Sequence, residues 1–231
     1  MQFFYNVVDT VLYAQINGAG HNYNSELPLY LEKISENLQS YSALIELNYQ
    51  KRKKFFKELL VQIYVTKNHW CNHMVRQEKA IDIKDAFDIF FSNLIYLMKT
   101  IEKTKNTLHI EREFLKNTKY IGLLHREIGF PRNKILPDNY KLEVKYDNSF
   151  CSWNANNDVH KISHIREGNK YNIRITARSI DNEFGFYITG FNNFFNKIFG
   201  KKYKNITNED EVVFRIKKET VITTEKIPLN I

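Results

Sequence analysis

The longest helical pattern in the chain runs from Ser42 to Lys79, and it limits the folds that the rest of the chain can adopt. Apolar residues recur within it at spacings of three, four and seven, which predicts an amphipathic helix rather than a strand. Its densest apolar face holds Phe55, Phe56, Leu59, Leu60, Ile63 and Tyr64. An unbroken helix of this length would span roughly 55 Å, which exceeds the width of a small domain. We therefore expect either the spine of an antiparallel bundle or a break near Asn48 to Lys51.

Two helical patterns precede this segment and supply neighbours for it. The first covers residues 3–17 and ends at the glycines that follow, as a glycine C-cap would end it. The second begins after Ser25, whose side chain can cap a helix, with Pro28 in its first turn. Its inner stripe comprises Leu31, Ile34, Leu38 and Tyr41.

Two further helical patterns follow. One begins at Asp82, which is a suitable N-cap, and presents an apolar face broad enough for a central position in a bundle. That face comprises Phe87, Phe90, Phe91, Leu94, Leu97, Met98 and Ile101. A last long helix is expected from Thr107 to about Glu127, because Phe114, Thr118, Ile121 and His125 fall on one side.

The pattern changes from Tyr140 onward, where apolar and polar residues alternate in short segments. Period-two alternation between polar turns predicts strands. These strands are expected at residues 141–146, 171–178, 184–189, 212–217 and 221–225. Between them, the aromatic residues from Phe191 to Tyr203 recur at helical spacing and predict one amphipathic helix.

The sequence therefore predicts an α+β protein, with an N-terminal antiparallel helical bundle followed by a smaller antiparallel β-sheet subdomain with one covering helix. The predicted organisation is a bundle over residues 1–127, a linker over 128–139 and a β-rich subdomain over 140–231. The linker is placed where two prolines and several polar residues occur together. Seventeen Phe and fourteen Tyr supply a substantial core, and the composition argues against disorder.

Composition also bounds the cellular setting. Cys71 and Cys151 are too few for a disulfide framework, so a reducing cytoplasmic setting is expected. The first sixteen residues carry Asn6 and Asp9 and make a poor secretory signal. Since no window approaches the roughly twenty apolar residues that a membrane span needs, we expect no membrane partner. The net charge of +8 favours modest attraction to a polyanion.

Two histidine pairs have the spacing that places both imidazoles on one helix face. His69 and His73 are four residues apart, and His160 and His164 repeat that spacing in a predicted loop. A zinc site needs three or four ligands, and no third ligand is evident near His69. We therefore predict no metal site. No cofactor is expected either, because the chain lacks a phosphate-binding glycine loop and a dinucleotide fingerprint.

His125 is the candidate catalytic residue in this sequence, and Lys119 lies six residues before it. Helical bundles of the HEPN type carry an Arg, then four to six residues, then a His, and they cleave RNA without metal. Lys119 stands where that pattern has Arg, and a lysine engages phosphate as a point charge without the bidentate geometry of Arg. A metal-independent HEPN-like ribonuclease with Lys119 and His125 is thus an alternative function. The competing interpretation is a histidine that caps a helix C-terminus.

Basic residues give the main functional signal. They lie in the run Lys51 to Lys54 with Lys57, and in the run Lys201, Lys202 and Lys204. Successive residues turn by about 100° on a helix, so we expect Lys53 and Lys57 to share the ligand-facing side. Arg174 and Arg178 would share one face of a strand.

We therefore predict a binding module for nucleic acid, with RNA favoured, or for an acidic protein surface, without recognisable catalytic apparatus. A structural protein of a larger complex is the remaining alternative, and a protein partner or homo-oligomer stays open. The competing interpretation of the basic runs is an ordinary solvated surface.

Overall fold

The computed structural model describes residues 27–44, 49–76, 81–131, 149–156, 169–200 and 210–228. It confirms the α+β class, with helices first and an antiparallel sheet after them. The helices described are α1 Leu27–Leu44, α2 Tyr49–Arg76, α3 Ile81–Lys103, α4 His109–Thr118 and α5 Ile188–Phe199. The strands described are β1 Lys119–Tyr120, β2 Gly122–Pro131, β3 Phe150–Asn154, β4 Asn169–Ser179, β5 Gly185–Tyr187, β6 Glu211–Arg215 and β7 Ile222–Pro228. The helix predicted over residues 3–17 and the strand predicted over 141–146 lie outside the described residues.

The chain divides into two compact units. The helical unit joins Met1–Asn117 to Phe191–Ile206, and the sheet unit joins Thr118–Gly190 to Thr207–Ile231. These bounds differ from the predicted division into 1–127, 128–139 and 140–231, because the residues before 127 form a strand rather than the end of a helix. β2 also extends into the predicted linker as far as Pro131.

The predicted apolar stripes form the core of the helical unit. All four predicted residues of α1 and all seven of α3 are fully buried. α1 and α2 are antiparallel, since Asn37 bonds to Gln62 while Tyr41 stacks on Phe55, nearer the start of α2. The long helical pattern from Ser42 to Lys79 is shared by two helices, since α1 ends at Leu44 and α2 begins at Tyr49, where a break was expected.

Helix α5 completes this core from a distant part of the sequence. The ring of Phe195 stacks on Tyr64 of α2 with centroids 4.4 Å apart. Phe114 of α4 meets Phe191 and Phe194 edge-on at 6.2 and 6.0 Å. Such aromatic pairs contribute about 0.5–1.5 kcal/mol each beyond their buried area.

A buried lysine also joins α2 to α5. The side chain of Lys67 is almost fully buried, and its Nζ donates to Asn192 Oδ1 at 2.5 Å. The same ammonium lies 4.9 Å from the centre of the Tyr64 ring. A buried charge is tolerated when such polar and aromatic groups replace its water.

The sheet is antiparallel throughout, in the order β1-β5-β6-β3-β2-β4-β7. Its longest ladder pairs β2 with β4, from Gly122 opposite Ser179 to Pro131 opposite Asn169. One face carries the hydrophobic core of the sheet unit, and the alternate residues point to the other face. The core residues are Leu124, Trp153, Ile175, Ala177, Val212 and Phe214.

The prediction of a helix running to about Glu127 is wrong, since α4 ends at Thr118 and β2 takes up the following residues. Gly122 has a backbone φ of 156°, which residues with a side chain rarely adopt. Residues 122–131 then bond to β4 along their whole length. This long-range pairing outweighs the helical spacing of the apolar residues. The strand predicted over 184–189 likewise stops at Tyr187, where α5 begins.

Candidate nucleic-acid interface

The first three turns of α2 present a basic surface. The side chains of Lys51, Lys53, Lys54 and Lys57 are all exposed, and we call these four residues the α2 basic surface. Lys53 and Lys57 lie one turn apart on the same face, as predicted, with a rise of about 6 Å between them. Tyr49 lies one turn before Lys53 and is 58% exposed, so an aromatic ring accompanies the cations.

Arg52 interrupts this basic run and points inward. Its guanidinium donates to the carboxylate of Glu111 through Nε at 2.7 Å and through Nη2, and its Nη1 donates to Asn106 O at 3.0 Å. Arg52 is in phase with the buried residues Phe56, Leu59 and Ile63, which places it on the apolar side of α2. That phase was the signal in the sequence that separates Arg52 from its lysine neighbours.

The carboxylate of Glu111 satisfies several donors at once. It accepts from the Tyr41 hydroxyl and, at 2.8 Å, from the backbone N–H of Leu108. Burial and the bond to Glu111 raise the pKa of Tyr41 well above its usual range, so the hydroxyl stays a donor. Burial alone would lower the pKa of Arg52, but its bonds to Glu111 and Tyr41 outweigh that effect and raise it. This network is therefore a structural support beneath the basic surface.

The α2 basic surface lies at the positive end of a helix. The first turn of α2 holds no acidic residue, although acidic side chains are favoured there by about 0.3–1 kcal/mol each. Within the described part of the chain, none of the four lysines forms an ion pair with a carboxylate. The N-terminal end of α2 and these exposed lysines are both positive, an arrangement that favours anions.

The two arginines predicted on the sheet have different surroundings. Arg174 lies between Glu127 and Glu225, with N–O distances of 3.2 and 3.1 Å, and only 13% of its side chain is exposed. Two carboxylates therefore compensate its charge. Arg178 shares the same face of β4 but is exposed, and it lies opposite Leu123 of β2. Of this pair, Arg178 is the one that can meet a ligand.

His125 lies in strand β2, and its expected position on a bundle helix is wrong. Its Nδ1 is 3.1 Å from Thr176 Oγ1, and the residue is buried. Burial and the nearby Arg174 lower its pKa, so the neutral imidazole is favoured. Lys119 lies in β1, where it pairs with Asp181 at 2.6 Å. The helical arrangement that a HEPN-type site requires is therefore not formed at His125.

For the remaining predicted site residues, the structure describes either the backbone alone or nothing. The backbones of His69 and His73 lie in α2, whereas His160, His164, Lys201, Lys202 and Lys204 lie outside the described residues. Among the residues that the structure does describe, no group of three or more His, Cys, Asp or Glu side chains is placed to hold a metal ion. The absence of a metal at His69 and His73 stays a prediction.

Comparison with protein-family models, curated proteins and solved structures finds no match to this chain. None of the helices in the described ranges is both long enough and apolar enough to span a bilayer.

Proposed function

We propose that the helical unit binds nucleic acid, with single-stranded RNA favoured, through the α2 basic surface. The observation that carries this proposal is the set of four exposed lysines in the first three turns of a helix, none of them ion-paired within the described residues. Lysines neutralise phosphates and release counterions, which makes binding strong at low salt. Tyr49 adds the aromatic face on which an unpaired base can stack.

The first test measures the salt dependence of binding. The probe is a fluorescein-labelled 20-nucleotide oligouridine, and fluorescence anisotropy gives Kd between 50 and 200 mM salt. Each phosphate contact on a single strand contributes a slope of about 0.7 in log K against log salt. The double variant Lys53→Gln with Lys57→Gln should therefore reduce the slope by about 1.4 and weaken binding at low salt.

A matched control separates local contact from net charge. Lys116 of α4 and Lys218 in the turn before β7 are exposed, so Lys116→Gln with Lys218→Gln removes two charges from other parts of the chain. This control should keep the native slope. If the native chain does not bind the probe at 50 mM salt, or if both double variants change the slope equally, the proposal is wrong.

An acidic protein surface is the second candidate ligand, since the same lysines would attract carboxylates. The Tyr49→Ala variant distinguishes the two ligands, because stacking on a base contributes about 1–3 kcal/mol. For an RNA surface, this variant should weaken oligouridine binding while leaving polyglutamate binding unchanged. Equal effects on the two probes, with polyglutamate bound more tightly by the native chain, would favour the acidic protein surface.

A further inference from the structure

The sheet unit exposes four large aliphatic side chains. Ile121, Leu123, Ile180 and Val221 are 51%, 45%, 49% and 69% exposed, and in the described part of this unit they are the exposed large hydrophobic residues. Leu123 and Val221 lie beside Arg178 on the neighbouring strands, while Ile180 lies two residues after Arg178 and Ile121 two residues before Leu123. We call these five residues the aliphatic corner.

Strand register brings the aliphatic corner together. Leu123 lies directly opposite Arg178 in the ladder between β2 and β4. On the other side of β4, Ala177 pairs with Ile222, so the next step of the antiparallel ladder places Val221 beside Arg178. Alternate residues share a face, which adds Ile180 on β4 and Ile121 at the start of β2. The ends of three adjacent strands thus contribute to one surface.

Hydrogen bonds fix the backbone on the β2 side of this corner. Gly122 N donates to Ser179 Oγ at 3.0 Å, and that hydroxyl lies 3.2 Å from Tyr120 O. These bonds hold the chain on both sides of Ile121. Ile180 and Glu183 exchange two backbone bonds, of 3.2 and 2.9 Å, across a tight turn.

The turn before Val221 is fixed in the same way. Lys217 N donates to Thr220 Oγ1 at 2.9 Å, and Thr220 N donates to Lys217 O at 3.0 Å. These bonds hold the backbone beside Ile121, Ile180 and Val221, so these exposed side chains stand on hydrogen-bonded turns and strand ends. Contiguous apolar surface of this kind marks interaction sites.

The charge at the centre of the corner specifies what can dock there. Arg178 is exposed and makes no ion pair within the described residues, in contrast to Arg174 with its two carboxylates. A complementary surface must offer a carboxylate among aliphatic side chains. A twofold copy of the same corner would bring Arg178 towards Arg178, which like-charge repulsion disfavours. A nucleic acid would lack stacking partners, because the corner holds no aromatic ring.

We propose that the aliphatic corner docks a segment of a partner protein that carries an aspartate or glutamate flanked by aliphatic side chains. The carboxylate pairs with Arg178, and its neighbours cover Leu123 and Val221. This inference concerns the sheet unit and does not depend on nucleic-acid binding by α2.

The test begins with a display library of random 12-residue peptides selected on the immobilised full-length chain. Selected peptides should share an acidic residue with aliphatic neighbours. One of them is then synthesised and titrated calorimetrically. Arg178→Glu should weaken its binding at least tenfold, and a peptide with lysine in place of its acid should bind the Arg178→Glu variant better than the native chain. Val221→Ser should also weaken binding.

Ile89→Ser is the matched control, since Ile89 is 56% exposed on α3 of the helical unit, and it should leave peptide binding unchanged. The proposal is overturned if no shared acidic motif is selected, or if Arg178→Glu and Val221→Ser bind the peptide as the native chain does. It is also overturned if the chain dimerises in sedimentation and Val221→Ser abolishes the dimer. Loss of oligouridine binding in Arg178→Glu would instead assign the corner to nucleic acid.

Discussion

Removal of the Arg52 guanidinium should be the most damaging single change in the helical unit. The side chains of Arg52 and Glu111 are 4% and 0% exposed. In Arg52→Met, the methylene part of the side chain is kept, while the carboxylate of Glu111 loses its paired charge and the two hydrogen bonds from Nε and Nη2. A buried ion pair that loses one partner typically costs about 3–5 kcal/mol. Since small domains are stable by about 5–15 kcal/mol, this is a large fraction of the total.

Urea denaturation followed by far-ultraviolet circular dichroism measures the free energy of unfolding. Lys33→Met is the control, because Lys33 pairs with Glu36 at 2.7 Å while both side chains are more than half exposed. Exposed pairs contribute about 0–1 kcal/mol. The double variant Arg52→Met with Glu111→Gln should recover part of the loss, since it removes the unpaired charge. If Arg52→Met costs no more than Lys33→Met, the network does not support the bundle.

Two further predictions concern the sheet unit. Gly185→Ala should destabilise it by about 1–3 kcal/mol, because a Cβ at this position would collide with Val212 Cγ1. Urea unfolding followed by tryptophan fluorescence measures the loss, with the exposed Thr223→Ala as the control. Equal unfolding midpoints for the two variants would contradict this prediction. His125 should make the sheet unit less stable in acid. Because its pKa is lowered in the folded chain, the unfolded chain binds the proton at a higher pH than the folded chain does. The contribution of His125 to stability is therefore complete above the unfolded pKa of about 6.5 and is lost as the pH falls towards the folded pKa. His125→Gln should lose less stability than the native chain between pH 7.5 and 5.5, and equal losses would refute the assignment.

The helical stripes were predictable because their periodicity is local. The buried residues of α1 and α3 follow from helical spacing alone, and so does the exposure of Lys53 and Lys57. β2 was not predictable in this way, because the residues that make it a strand lie in β4, far along the chain. The same pairing buries His125 beside Thr176, an environment that no local pattern encodes.

The sequence alone also could not predict which arginines are paired with carboxylates. Arg174 and Arg178 belong to one alternating strand, and nothing local distinguishes them. The register of β2 and β7 places Glu127 and Glu225 opposite Arg174, whereas Leu123 lies opposite Arg178. Similarly, Glu111 reaches Arg52 only after α2 and α4 have packed together.

The late position of α5 in the chain affects the order in which the protein can mature on the ribosome. The aromatic residues that contact Tyr64 and Phe114 come from Phe191 onward, after most of the sheet unit has been synthesised. At about 5–20 residues per second, roughly 75 residues separate Asn117 from Phe191, a delay of about 4–15 s. During that interval the nascent bundle lacks those rings and lacks Asn192, the acceptor for the buried ammonium of Lys67. A chain whose synthesis stops before Phe191 would therefore expose the aromatic side chains of the bundle that α5 normally covers, and chaperones and proteases could bind them.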